Sequence, residues 1–530
     1  MAKHCKKGAA MAFYFRRSKW FAFIFSWTCL AGCLPFVANA QTDCNNLPPP
    51  NPGKSFFANF SNHCYAIQLT SGHGNTMGRD LNAKYATVYY RVDPRYELIL
   101  FGTFPHSRYM SLAVYDDHEA TLGVLIDGQI VPLTATTINP FLPHMPFQDY
   151  QYYAAAVSLG GTLPPPGNVT PGCDVDTMNV HANQLDASLL HKTTGTYPNT
   201  FPPGMTWTGD PRVPDGFPPH ETGANQAGAM MFRSYLDQPV SSPLSIPVVF
   251  VRDLTTGCAV PAAQAVQQGT ITTDRNVYES SMVHSQQVNA HYNYADSILP
   301  KTCYTLNPAD AFVWLRGPYY VSGTSPDTAY MGARLPSLKP APGDVFMRLR
   351  FQLPVMPKIP CSNGCSLTGS EQLRYWSLSV ESTTTPKQTM IGAGTTLASL
   401  SDLDMVTDEN GFVTLIVGLG TAPPSWVTRQ NGFTYFDLSQ IANWQTATFF
   451  QVRNIVPSAG FSCAANAIDY LTSESNSLGG FMGNYGLFVD YLSSAEIPKT
   501  PGPYPRNNSC GLAPPETPGV CSSLTAQPLP

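Results

Sequence analysis

Apolar and polar side chains alternate along much of the chain, and one alternating stretch occurs twice. Arg108-Tyr109-Met110-Ser111-Leu112-Ala113-Val114 returns as Arg374-Tyr375-Trp376-Ser377-Leu378-Ser379-Val380, identical at five of seven positions. In an extended chain Met110, Leu112 and Val114 share one side, as do Trp376, Leu378 and Val380, which predicts a strand in each copy. Further strands are expected upstream, over 85–92 and 97–101 before the first copy and 345–353 before the second. Downstream comes an acidic turn with apolar residues after it. The first copy has Asp127-Gly128, then Ile130 and Val131; the second has Asp408-Glu409-Asn410-Gly411, then 412–417. Both read as hairpin signals. Each copy then carries an arginine on a strand, Arg233 in Met231-Phe232-Arg233-Ser234-Tyr235 and Arg453 in Phe449-Phe450-Gln451-Val452-Arg453-Asn454.

Short strands separated by turn residues, twice over, predict a mainly β protein of two duplicated antiparallel β-sandwich or jelly-roll domains, spanning 41–270 and 301–497. Residues 271–300 lack strand alternation and are expected to form a short helical linker. Residues 134–228 interrupt the first copy with a Pro/Gly/Asn-rich stretch, read as a long irregular insertion of the kind that is usually functional. The segment 498–530 is a Pro-rich tail.

Composition narrows the class. The 530 residues carry 30 Lys+Arg against 35 Asp+Glu, and charged residues are only 12% of the chain, about half the usual quarter. The net charge of −5 excludes nucleic-acid binding by phosphate neutralisation. An apolar share of 43% excludes a disordered chain, and 49 prolines exclude a mainly helical one.

Residues 1–40 read as an export signal. Lys3, Lys6, Lys7, Arg16, Arg17 and Lys19 precede an apolar run over 20–37, and Ala38-Asn39-Ala40 is a small-x-small cleavage site. Leu30-Ala31-Gly32-Cys33 also fits a lipobox, the alternative being a lipid anchor on Cys33 and an outer-membrane lipoprotein. Beyond the leader no apolar run is long enough to span a bilayer. A secreted or periplasmic destination is oxidising, and ten cysteines remain after either cut, so five disulfides are expected. Cys361 with Cys365 and Cys510 with Cys521 would close short loops. A crosslink shared by both copies gives Cys64–Cys258 and Cys303–Cys463, leaving Cys44–Cys173; the rival set pairs Cys44 with Cys64 and Cys173 with Cys258.

A family resemblance rests mainly on the second copy. Tyr375-Trp376-Ser377-Leu378, the 408–411 turn with Val413-Thr414-Leu415, Asn443-Trp444 and the Arg453 strand occur in that order. This resembles a bacterial jelly-roll domain family of unknown function, with an aromatic-Trp-Ser-Leu strand, an Asp-Gly hairpin, an Asn-Trp segment and an Arg-x-Tyr strand. The first copy keeps 109–116, Asp127-Gly128 and Arg233-Ser234-Tyr235, and lacks the Asn-Trp segment. The resemblance implies the fold and no reaction.

No Gly-x-Ser-x-Gly, His-Glu-x-x-His, phosphate loop or dinucleotide fingerprint is present. The densest polar cluster is Asp116, Asp117 and His118 after the repeated strand, with His106 just before it. Imidazole beside carboxylates suits acid–base work, against the plainer reading of a solvated strand end. The pairs His181/His191 and His284/His291 read as exposed polar residues rather than metal ligands, and no metal or cofactor is expected. The arginines repeat in both copies, which favours a structural role for Arg108, Arg374, Arg233 and Arg453 over ligand binding. Tyr150, Tyr152, Tyr153, Tyr197 and Trp207 lie in the 134–228 stretch, where aromatics on a Pro-rich loop suit a sugar or another flat ligand. The leading expectation is an extracellular or cell-envelope binding protein for carbohydrate, polymer or protein. The alternative is a secreted hydrolase-like enzyme with its site around His106, Asp116 and His118.

Overall fold

A computed structural model describes residues 64–71, 80–115, 121–162, 180–187, 227–237, 245–272, 313–316, 327–334, 345–359, 365, 367, 370–382, 395–458, 460–461, 463–464, 473–475 and 482–502. The leader with Cys33, the tail beyond 502, and Cys44, Cys173, Cys303, Cys361, Cys510 and Cys521 lie outside them. So do Asp116, Asp117, His118, His191, Tyr197, Trp207, His284 and His291.

The chain is mainly β. The principal strands of the first half are β1 (Ala83–Arg91), β2 (Tyr96–Thr103), β3 (Tyr109–Tyr115), β4 (Thr121–Ile126), β5 (Tyr152–Ser158), β6 (Gln184–Asp186), β7 (Ala227–Tyr235) and β8 (Val248–Asp253). Those of the second half are β9 (Thr328–Arg334), β10 (Val345–Gln352), β11 (Leu373–Ser382), β12 (Thr395–Ser401), β13 (Phe412–Gly418), β14 (Phe433–Asp437), β15 (Ala447–Pro457) and β16 (Phe488–Ser493).

Each half is built from two sheets. In the first, one sheet runs β8-β2-β5-β6 and the other β1-β7-β3-β4; in the second, β16-β10-β13-β14 and β9-β15-β11-β12. The orders correspond strand for strand, β1 to β8 matching β9 to β16. The parallel pair recurs as well: β5 with β6, and β13 with β14, in sheets whose other pairs are antiparallel. Short strands extend the edges, Ile271–Thr272 on β1 and Val313–Arg316 on β9.

Alternation explains the packing. Met110, Leu112 and Val114 of β3 meet Val88, Phe232, Leu98 and Val157 in the first core. Trp376, Leu378 and Val380 meet Leu349, Val452 and Leu415 in the second, with Trp376 stacked on Phe351 at 5.2 Å. The opposite faces of β3 and β11 are buried too, because all of β3 and β11 lies away from water. These second faces meet at the boundary between the halves, where Tyr109 and Tyr235 cluster with Tyr375 and Ile455. The outer face of the β8-β2-β5-β6 sheet is covered by Leu133 and Val180 from loops.

Several expectations need correction. The stretch 134–228 is not one structureless insertion. It contains β5, whose Ala154, Ala155, Ala156 and Val157 are fully buried, and β6, and it ends in the first residues of β7. Part of the extra length relative to the second half is a described loop. It runs from Ile130 to Tyr152, where the second half passes from Met405 to Phe412. Of the expected helical linker 271–300, only Ile271–Thr272 is described, as a short strand, and 273–300 lies outside the described residues; the α-helix among the described residues is Ala262–Gln267. Finally, the partner of Asp127 in the second half is Asp402 rather than the 408–411 turn. Each opens a 3-10 turn right after the matching strand, Asp127–Gln129 after β4 and Asp402–Asp404 after β12.

Candidate functional site

The repeated arginines meet at the boundary between the halves. Arg108, just before β3, donates from Nη1 to Asp402 Oδ1 at 2.5 Å. Arg374, at the start of β11, donates from Nη2 to Asp127 Oδ2 at 2.6 Å and to the Arg108 carbonyl at 2.8 Å. Each half thus sends its arginine to the 3-10 turn of the other. That is the reciprocal contact expected of a two-fold interface. Asp127 is held further by the amides of Met110 and Gly128. Burial nevertheless pushes its carboxyl up to about 6, against the pull of Arg374 and those amides, and the same burial lowers Arg374.

The second pair of arginines lines the layer between the facing sheets. Arg453 on β15 donates from Nη1 to Ser379 Oγ at 2.8 Å and lies 3.7 Å from Asp80 Oδ2. Asp80 belongs to the first half. It accepts from Tyr375 Oη at 2.8 Å and Ser377 Oγ at 2.5 Å. Arg233 on β7 reaches the hydroxyl of Tyr115 and lies over its ring. Burial tends to discharge Arg233 and Arg453, and surrounding tyrosines, with Asp80 and Glu381 beside Arg453, hold both charged. All four arginines are therefore structural groups.

The segment 138–151 forms a compact loop at the edge of this boundary. Its ends are joined: Ile138 N donates to Gln151 Oε1 at 2.7 Å, and Phe104 N to the Gln151 carbonyl at 2.8 Å. Asn139 fixes its start by donating to the carbonyls of Asp127 and Ile130. Phe141 is fully buried against Phe104, and Phe147 packs on Phe141 edge-on at 5.4 Å. The guanidinium of Arg374 lies 5.7 Å from the Phe141 ring, so the loop base rests on the arginine that joins the halves. Above this base Leu142, Met145 and Tyr150 are exposed, Tyr150 to 52%. His144 and Tyr150 take left-handed backbone conformations, at φ of 62° and 61°, which is uncommon for a bulky side chain such as that of Tyr150. Loops of this size with joined ends are frequently functional.

The residues expected from sequence separate here. Tyr150 is exposed on the loop. Tyr152 is half-buried and stacks on Phe101 at 5.5 Å. Tyr153 is fully buried against Phe104, and burial raises its hydroxyl strongly, so it is a core residue and not a ligand contact. His106 packs on Phe147 and lies 3.4 Å from Asp149, which ties the loop to the approach of β3. His181 pairs with Glu97 at 3.0 Å, and Glu97 with Arg252 at 3.4 Å, fastening the segment before β6 onto β2. Cys64, Cys258, Cys365 and Cys463 are described, and none of them is free. Among the described residues no group of three His, Cys, Asp or Glu side chains comes together as a metal site, and no helix is long and apolar enough to cross a membrane.

No protein-family model matches the chain, and no curated protein matches it either. Among solved structures it is similar to an uncharacterised protein from Burkholderia cenocepacia, at 12% identity over 83% of this chain and 84% of that one, with a TM-score of 0.41. It is also similar to a protein from Vibrio parahaemolyticus, at 9% identity over 79% of this chain and 94% of that one, with a TM-score of 0.32.

Proposed function

We propose that the chain is an exported, disulfide-stabilised binding protein that presents the 138–151 loop to a carbohydrate or another extracellular polymer. The observation that carries this reading is Tyr150, exposed beside Leu142 and Met145 on a loop whose base is fixed by Asn139, Gln151 and Phe141. An aromatic ring held in place before binding loses little conformational freedom on contact, which is what makes a fixed loop a good binding surface. The same reading takes the matched strand orders as the trace of one duplicated domain. It places the chain outside the cytoplasm, with 1–40 removed or with Cys33 lipidated, and joins the ten remaining cysteines in five disulfides.

The test is a panel of soluble polysaccharides and envelope polymers bound to the intact chain and to Tyr150→Ala with Met145→Ala. At least tenfold weaker binding of one polymer by the double variant is expected. Unchanged binding, or no binding by the intact chain, overturns the reading.

A further inference from the structure

The rim of the 138–151 loop meets the body of the protein at a histidine and a carboxylate. His106 stands in the short connection between β2 and β3, and its ring packs on Phe147 of the loop at 5.1 Å. Its Nε2 atom lies 3.4 Å from Asp149 Oδ1, closed off from water but not aligned for a hydrogen bond. Asp149 immediately precedes Tyr150, whose backbone is left-handed, so whatever holds Asp149 helps to place the exposed ring. The clamp at the end of the loop, from Phe104 N to the Gln151 carbonyl, is two residues away on each side.

The other charged groups near His106 are engaged elsewhere. Among the described residues, Arg108 is turned to Asp402. Asp127 and Arg374 pair with each other beneath the loop base. Cys365, packed on the Ser107 carbonyl from the second half, does not titrate, and His144 is exposed on the loop. The carboxylate facing His106 is therefore that of Asp149. Imidazole is the side chain whose charge changes between pH 5 and 8. A neutral ring offers a carboxylate at most a neutral N–H, whereas an imidazolium offers a charged one, roughly twice as strong.

We propose that His106 and Asp149 form a pH-dependent latch on the loop: protonation of His106 draws Asp149 onto Nε2 and fixes the segment 147–150 that carries Tyr150. The extra hold is present while the imidazole is protonated and is lost as pH rises and the proton leaves. The use of such a latch, tighter polymer binding in acid surroundings, rests on the binding reading above; the latch itself does not.

Hydrogen exchange of the full chain is followed at pH 5 and pH 8, on either side of the imidazole range, in peptides covering 142–150, with rates corrected for intrinsic chemical exchange. The intact chain is expected to exchange about two- to fivefold more slowly at pH 5, the range of a partly exposed ion pair. Asp149→Asn removes that difference, as does His106→Gln, and His144→Gln keeps it. Asp149 is 40% exposed, so its replacement disturbs little packing if the histidine variant does not fold. Asp127, pushed up to about 6 by burial, titrates in the same range but remains in every variant, so a difference that it causes survives Asp149→Asn. Such survival, or no difference in the intact chain, overturns the latch. Polymer binding at the two pH values is measured separately, and its absence counts against the binding reading while the exchange result stands.

Discussion

Arg108 of the first half donates to Asp402 of the second across a distance of 2.5 Å, with the arginine 1% exposed. The contact has a counterpart running the other way, from Arg374 to Asp127. The Nε atoms of both arginines lack partners, so even the unfilled hydrogen bond is shared. A buried charge whose partner is removed has nowhere to be solvated, which makes such pairs far more sensitive to single than to double replacement.

Removal of either partner is therefore expected to be strongly destabilising. Asp127→Ala should cost about 3–5 kcal/mol by leaving Arg374 buried and uncompensated. Adding Arg374→Met should recover part of that loss. Urea unfolding of the two single variants and the double variant gives the coupling, and simple additivity would show that the pair does not act as a unit.

Two buried carboxyls set an unusual pH dependence. Burial raises Asp127 to about 6 and Asp327 to about 7, from ordinary values near 3.8. Between pH 3.8 and those values the native chain keeps protons that the unfolded chain has released. Their contribution to stability is therefore largest at low pH, falls as pH rises through 6 to 7, and is level above. Asp327 Oδ2 has no hydrogen-bond partner, so Asp327→Asn should stabilise the chain at pH 8 by on the order of 1 kcal/mol and leave pH 4 nearly unchanged. Unfolding titrations of both proteins from pH 4 to 8 would show whether the slope flattens; an unchanged slope excludes Asp327 as its source.

The loop divides into a structural base and an exposed rim. Phe141→Ala should cost about 3–5 kcal/mol, the usual loss for a buried phenylalanine. Tyr150→Ala should change stability by no more than about 0.5 kcal/mol. Chemical denaturation separates the two, and a large loss at Tyr150 would make it a packing residue.

Leu236 and Val456 occupy matching places after Arg233 and Arg453, and both have positive φ, 54° and 45°. That conformation is costly for a β-branched side chain. Val456→Gly should hold or raise Tm despite the lost side chain, because glycine adopts the conformation without strain. A fall comparable to an ordinary Val→Gly change in a strand would mean that packing at Val456 outweighs the strain.

Much of the fold was legible because its signals are local. The repeated strand, the arginine strands and the turn at Gly411, which has φ of 80°, follow from side-chain period and turn chemistry. The long loop was readable as an interruption, and Tyr150 as an exposed aromatic within it. β5 was hidden because its Ala154-Ala155-Ala156 run shows no alternation: the strand is buried on both faces, between the core and the loops carrying Leu133 and Val180.

The sequence by itself determined a mainly β chain with a repeated strand and a repeated arginine in each half. Only the tertiary structure decided that Arg108 answers Asp402, that Arg374 answers Asp127, and that one oxygen of Asp80 serves Tyr375 and Ser377 of the other half while the other serves Asn82 of its own. Alternation says which side of a strand is apolar. It cannot say what the polar side meets, because that depends on which sheet of the other half lies opposite it.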